Sequence, residues 1–309
     1  MQLAVEGPAA HLHAGAPLVR LHQRVAVQAA AAAEEAEDDE SKHGLAEEAF
    51  RSLERCRSPG PDRRRGAAAR CGYKTVVASG HHAPGWQPTL VHDDGRVIVV
   101  DKPAGLPATG RDRNDPDSLE FLLTERLRRT VWAVHQLDAE TSGLIVFVTR
   151  KSLVAPWVER LARRAAKQYL AICHGVPAFD ALQVRAPLGA TGSPTPPWWR
   201  VARQADVGAR DATSRLRVLG RTARHSLLEV TLVTGRTHQA RLHLAHVGHP
   251  LVGEKVYRTP PCTEHPRHAL HAHTIRFRDG ELPSELLAPL PAELRALAAQ
   301  VGLRIPDGR

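Results

Sequence analysis

An α+β layer fold, built on a mostly antiparallel mixed sheet flanked by helices, is what the sequence predicts, on three observations. Short apolar runs with strand character recur at residues 96–101, 131–134, 144–148, 169–174, 213–219, 227–234 and 269–277. Stretches with helical spacing of apolar side chains separate only some of these runs, so the strands are close in sequence and pair largely as neighbours. Proline and glycine stand at the ends of the runs, where they stop ladders and helices.

Taken in order, patterned sequence starts near Thr89. The run 96–101 (RVIVVD) stops at Lys102, Pro103, Ala104 and Gly105. Asp117 or Ser118 caps a helix whose apolar positions Leu119, Leu122, Leu123 and Leu127 share a face. The apolar runs 131–134 and 144–148 bracket the polar loop HQLDAETSG at 135–143, which places the Asp138 carboxylate at a sheet edge. Leu153, Val154, Trp157, Val158 and Leu161 predict a helix over 152–166, and YLAICH at 169–174 the next strand. Residues 178–210 carry little pattern and are expected to be loop. The runs 213–219 and 227–234 read as a hairpin across a turn at 220–226. A helix at 237–247, stopped by Gly248 and Pro250, a strand at 269–277 and a helix at 290–301 complete the chain.

Residues 1–86 read differently. An alanine run at 28–33, an acidic run at 34–40 and an arginine-rich stretch at 51–70 cannot bury enough apolar surface to offset the entropy of ordering. This low-complexity extension is expected to be disordered, with the folded domain at 87–309. The net charge of +9 over 309 residues suggests an anionic partner. Cys56, Cys71, Cys173 and Cys262 form no closely spaced pair, which argues against a zinc ribbon or disulfide framework and fits a reducing cytoplasm. There is no apolar run of about 18 residues, so no membrane span is expected.

Five stretches stand in a fixed order: VDKPAGL at 100–106, HQLDAETSG at 135–143, KQYLA at 167–171, TGRTHQARLH at 234–243 with HPLVG at 249–253, and LHA at 270–272. Together they resemble the large family of pseudouridine synthases that modify ribosomal and transfer RNA, recognised by an H-R-L-D block. The resemblance implies the pseudouridine synthase fold over about residues 88–300. It also implies isomerisation of uridine in RNA: the N1–C1′ glycosidic bond breaks, the uracil rotates and C5 takes the place of N1. Such chemistry needs no metal and no organic cofactor. RNA is the implied partner, and a monomer the implied state.

Carried over residue by residue, the resemblance makes Asp138 the essential catalytic carboxylate, a group able to act covalently or by proton transfer. It makes Arg241 the cation that pairs with that carboxylate and keeps it charged. Tyr169, one of three tyrosines in the chain, becomes the ring that stacks on the displaced uracil. Gln136 departs from the pattern, because the family has arginine there to help displace the base. Glutamine keeps hydrogen bonding but loses the stacking guanidinium. The departure prompts an alternative, a catalytically impaired RNA-binding protein on the same fold.

Arg160, Arg163, Arg164, Arg200, Arg203 and Arg236 are candidate phosphate contacts. Among the 18 histidines, His238, His243, His246 and His249 recur through the helix at 237–247 and its exit. No H-E-x-x-H accompanies them and no acidic residue lies between 237 and 253, so no metal site is expected there.

Overall fold

The computed structural model describes residues 88–306 apart from Pro194 and Glu281. The extension read at 1–86 lies outside the described residues. Strands β1 (Thr89–Asp93), β2 (Val97–Lys102), β3 (Trp132–Ala133), β4 (Ser142–Val148), β5 (Ala165–His174) and β6 (Ala181–Arg185) are joined by helices α1 (Leu119–Leu127) and α2 (Val154–Arg163). The short strands β7 (Leu188–Ala190) and β8 (Trp199–Val201) and the hairpin β9 (Thr213–Arg221) and β10 (His225–Leu232) follow. Helix α3 (Gln239–His246), β11 (Leu270–Phe277), β12 (Glu285–Leu287) and α4 (Ala292–Gln300) end the fold. A ten-stranded sheet runs in the order β1-β2-β4-β11-β5-β10-β9-β6, with β3 beside β4 and β12 beside β11, while β7 and β8 pair separately. Neighbours are antiparallel except β4 and β11, which run parallel where Ser142 and Gly143 face His271 and Ala272. This is the predicted α+β class.

Period-two alternation assigns the sheet's two faces. Along β4, Ile145 and Phe147 join the core that takes Leu119 and Leu123 of α1 and Ala240 and Leu244 of α3. Leu144, Val146 and Val148 point the other way, onto Trp157 and Leu161 of α2. Helix α4 covers the same far side of β5, setting Leu294 and Leu297 on Leu170 and Ile172. Because both faces of β4 are covered, all seven of its residues are buried, and it reads in sequence as an unbroken apolar run. Burying each of these Leu, Ile, Val or Phe side chains contributes about 1.5–3 kcal/mol.

Local chemistry explains where the elements begin. Ser118 is the N-cap of α1, its hydroxyl accepting from the Phe121 N–H at 3.3 Å. Helix α2 is shorter than the 152–166 expected: a 3₁₀ turn occupies Lys151–Leu153, and β5 begins at Ala165. Tertiary pairing takes residues 165–168 into the sheet, opposite 274–277 of β11. Residues 178–210, expected to be loop, contain β6, β7 and β8. β6 is an edge strand with mostly open side chains, and the other two have three residues each. Such strands leave too little apolar alternation to be seen. Among the described residues, no helix is long and apolar enough to cross a membrane.

The parallel junction of β4 and β11 depends on one glycine. Gly143 has φ +109°, and a Cβ there would lie 2.2 Å from the Ala272 carbonyl oxygen, so only glycine lets the strands meet at the mouth of the Asp138 loop. Gly143→Ala is therefore expected to lower unfolding stability by at least about 2 kcal/mol, the combined effect of backbone strain and overpacking. Chemical denaturation of the two proteins measures this; equal midpoints would contradict it.

Candidate active site

The loop between β3 and β4 is held by its backbone. The Thr141 N–H donates to the Asp138 carbonyl at 3.0 Å, and the Gly105 N–H to the Ala139 carbonyl at 2.8 Å. Lys102, fully buried at the end of β2, sends its ammonium to the carbonyls of Pro103, Leu106 and Ala139, each at 2.9 Å. All three of its protons are used, which a lysine achieves and a neutral side chain does not. Burial draws the Lys102 pKa down to about 7, with the Asp138 charge opposing the fall.

From the other side, Arg267 Nη1 donates to the Glu140 carbonyl at 2.9 Å, while Nη2 reaches Ser142 Oγ at 3.0 Å and Glu293 Oε1 at 2.8 Å. His271 Nε2–H donates to the Ala288 carbonyl at 3.1 Å, so in the neutral ring Nδ1 accepts the Ser142 hydroxyl proton at 3.0 Å. Thr141 Oγ1 lies 2.8 Å from His268 Nε2. The first and last of the sequence blocks thus brace the block that carries the aspartate.

The Asp138 carboxylate emerges from this frame with its side chain 22% exposed. Arg241 Nη1, from α3, donates to Asp138 Oδ2 at 3.0 Å across 103 residues of chain. The other side of the same guanidinium forms a fork with Glu254, Nε to Oε2 at 2.9 Å and Nη2 to Oε1 at 2.8 Å. Burial alone would raise the Glu254 pKa, but the bonds from Arg241 overcome it and hold the carboxylate below its ordinary value. The N–H groups of Val256 and Tyr257 also donate to Glu254 Oε1. The Tyr257 ring packs under the guanidinium, 5.0 Å from centroid to Cζ.

His238 sits directly before α3 with φ 55°, the left-handed region that is strained for a non-glycine residue. Its Nε2 lies 3.4 Å from Asp138 Oδ1 and its Nδ1 contacts the Tyr257 hydroxyl. Burial lowers the His238 pKa despite the nearby carboxylate, so the ring is neutral at neutral pH and Arg241 is the cation on Asp138. Gln239 secures the preceding turn: its Oε1 accepts from Thr234 Oγ1 and the Arg236 N–H, and its Nε2 donates to the Thr213 carbonyl and Ser214 Oγ.

Of the residues singled out in the sequence, Asp138 and Arg241 meet directly. Tyr169 lies in β5 opposite Ala272 and Val230, in the same core cluster as Leu137 and Ala240, with 7% of its surface open. Burial raises its hydroxyl pKa and the charge of Asp138 adds to the rise, so the ring lies within electrostatic reach of the carboxylate while exposing little of its face. Gln136 is exposed, with Oε1 accepting from the Thr109 hydroxyl at 3.3 Å.

Among the arginines considered for phosphate, Arg160, Arg163 and Arg200 are paired with Asp279, Glu159 and Asp206. Arg236 Nε donates to the Asp211 carbonyl, and Arg164 and Arg203 are exposed. The histidines around α3 do not converge: His243 bonds Ser214 Oγ and the Ala186 carbonyl, and His249 contacts the His174 carbonyl.

Sequence reasoning missed Glu254, Tyr257 and the contact of His238 with Asp138. Glu254 follows the HPLVG block directly, and a carboxylate immediately after such an apolar stretch is the signal that was available.

A family model described as RNA pseudouridylate synthase matches residues 96–246. An uncharacterized RNA pseudouridine synthase of Synechocystis is 32% identical over 232 residues, covering 70% of each chain. The chain belongs to this family. It is a family of RNA-modifying isomerases. The ribosomal large subunit pseudouridine synthase D of Pseudomonas aeruginosa is 38% identical over 213 residues, covering 61% of this chain and 63% of its own. This chain thus spans somewhat under two thirds of that relative's length. The solved structure titled Human RNA Pseudouridylate Synthase Domain Containing 4 superposes with a TM-score of 0.60 at 24% identity, over 71% of this chain and 95% of that one, a likeness of fold.

Two histidines, His271 buried and His135 partly buried, give the family domain a pH dependence. His135 Nε2 accepts from the Val146 N–H at 3.1 Å, and burial, reinforced by Lys167, lowers its pKa to about 3. Burial lowers His271 to about 4, against the pull of the Ala288 carbonyl. Both rings are neutral when folded, and their stabilisation is complete above the unfolded value of about 6.5. Below that pH the unfolded chain binds protons that the folded chain does not, so stability falls by up to about 1.4 kcal/mol per pH unit for each ring. Urea midpoints between pH 6.5 and 4 are expected to fall less steeply for His135→Gln than for the wild type. Parallel slopes would contradict the assignment.

Proposed function

We propose that the chain converts a uridine of ribosomal or transfer RNA to pseudouridine, with Asp138 as the catalytic carboxylate. Large-subunit ribosomal RNA is the favoured substrate because two thirds of the chain is similar to synthases named for it. The observation that carries the reading is the half-buried Asp138 carboxylate, 3.0 Å from an arginine that a second carboxylate holds in turn.

Arg241 occupies Oδ2 and the neutral His238 stands beside Oδ1, so Oδ1 is the oxygen left to act at the sugar or the ring. A water-poor wall formed by Tyr169, Leu137 and Ala240 backs the site, which strengthens charge interactions within it. Tyr169 is assigned to the uracil face, and Gln136, exposed beside the loop, to contact with the displaced strand. After the N1–C1′ bond breaks and the base turns, the C5–C1′ bond forms, C5 loses its proton and N1 gains one. The net change is an isomerisation. A basic surface and unpaired target bases fit recognition of RNA by shape and splayed nucleotides, by a monomer in the cytoplasm.

Tritium release from RNA labelled at uridine C5 tests the proposal. The wild type is expected to release tritium from ribosomal RNA lacking its own modification, and Asp138→Asn to lower the rate by at least about 10³-fold while still binding RNA. The neutral, exposed Gln136 is what favours the second reading, an RNA-binding protein with little activity. A wild type that binds but releases no tritium from ribosomal or transfer RNA would establish that reading instead.

A further inference from the structure

Away from Asp138, the ends of β5 and β10 and the segment after Gly253 bring three metal-capable side chains together, with Cys262 beside one of them. His174 closes β5 and faces His225, which opens β10, in the antiparallel register. Their ring centroids are 5.2 Å apart. Cys262 Sγ lies 3.2 Å from His174 Nε2, and Glu264 Oε2 lies 3.6 Å from His225 Nε2. One ligand atom from each of His174, His225 and Glu264 lies within 4.8 Å of the others, the one such grouping among the described residues. Around a tetrahedral zinc ion with bonds of roughly 2.0–2.3 Å, ligand atoms stand roughly 3.2–3.8 Å apart. The two close pairs already have that spacing.

Three observations point to an ion rather than to ordinary packing. His225 Nε2 is shielded from solvent and has no hydrogen-bond partner, an uncommon state for a buried ring nitrogen. His174 Nε2 accepts from Arg258 Nη1 at 3.1 Å, so it presents the lone pair that a metal requires, and a positive group already stands beside it. Cys262 is buried, and its Sγ accepts from the Gly253 N–H at 3.2 Å, the kind of donor that orients a metal-bound sulfur.

We propose that His174, His225 and Glu264 bind one divalent transition-metal ion of the zinc class, and that Cys262, which touches His174, turns onto the ion as the fourth ligand. The donor set of a thiolate, two imidazoles and a carboxylate suits zinc and excludes magnesium and calcium, which take oxygen ligands. On binding, the Cys262 thiol gives its proton to solvent as the sulfur–metal bond forms, and Arg258 leaves His174 for solvent. The two negative ligands then balance the charge of the ion. Four protein ligands close the coordination shell, so the site is structural and not hydrolytic.

Its position gives it a purpose. The Cys262 N–H donates to the Glu254 carbonyl at 2.9 Å, and the segment between these two residues also carries Tyr257. An ion on Cys262 and Glu264 would pin to the ends of β5 and β10 the segment that holds Arg241. These residues are separate from the α3 histidines, where no metal site is expected, and the distance of Cys262 from any other cysteine hides the cluster in the sequence.

The test uses the full chain, stripped with a chelator and titrated with zinc by calorimetry and with cobalt by absorption. One equivalent is expected to bind, cobalt giving the intense visible bands of tetrahedral geometry together with a near-ultraviolet sulfur charge-transfer band. Cys262→Ser should abolish the charge-transfer band, His225→Ala should weaken zinc at least tenfold, and Arg258→Gln, which removes the competing cation, should tighten it. Zinc should also raise the melting temperature of the wild type and not that of His225→Ala. Absence of stoichiometric binding overturns the proposal, as does binding unchanged in both Cys262→Ser and His225→Ala, which would place the ion on other histidines of the chain.

Discussion

One guanidinium serves two carboxylates, and the site depends on that sharing. Arg241 is almost fully buried, and a buried cation without partners would cost several kcal/mol. Glu254 supplies the permanent partner, bidentate and itself held by two backbone N–H groups. What remains of the fork, Nη1, is turned toward Asp138. The arrangement separates two tasks. Glu254 makes the buried charge tolerable and sets its orientation, and Asp138 stays partly open to solvent, where a nucleotide can reach it. A lysine could not divide itself this way, because its point charge lacks the planar fork that holds one partner while aiming at another.

The carboxylate's other constraint comes from the backbone. Lys102 and Gly105 on one side and Arg267 on the other take the carbonyls of Ala139 and Glu140, and Gly143 allows β4 and β11 to meet beneath the loop. Elements far apart in the chain therefore converge on the loop that carries Asp138. A positioned carboxylate is worth far more than a mobile one, because orientation is established before the substrate arrives. This also accounts for a lysine with no carboxylate bonded to it in the core: its three protons go to the carbonyls of Pro103, Leu106 and Ala139, the last shared with the Gly105 N–H.

Much of this was legible in the sequence where local patterns and tertiary demands agree. The doubly covered β4 appears as a run of apolar residues, α1 announces itself through Ser118 and its leucines, and the Asp138–Arg241 pair follows from the family blocks. The parts that were not legible have physical reasons. β6, β7 and β8 are short or exposed, and pairing rather than propensity makes residues 165–168 a strand. Glu254 and Tyr257 act through contacts with α3, which no periodicity records. Tyr169 was expected at the site by resemblance, and its depth in the core came only from knowing which face of β5 the helices cover.

If Glu254 acts by orienting Arg241, its effect must appear in the chemical step and not in RNA affinity. Single-turnover isomerisation by Glu254→Gln, measured on protein shown to be folded by circular dichroism, is the most direct test. The rate is expected to fall about 10²-fold, the scale of a misplacement of about 1 Å, with RNA affinity changed by less than about threefold. A folded Glu254→Gln protein that turns over at the wild-type rate would show that the shared guanidinium does not govern the site.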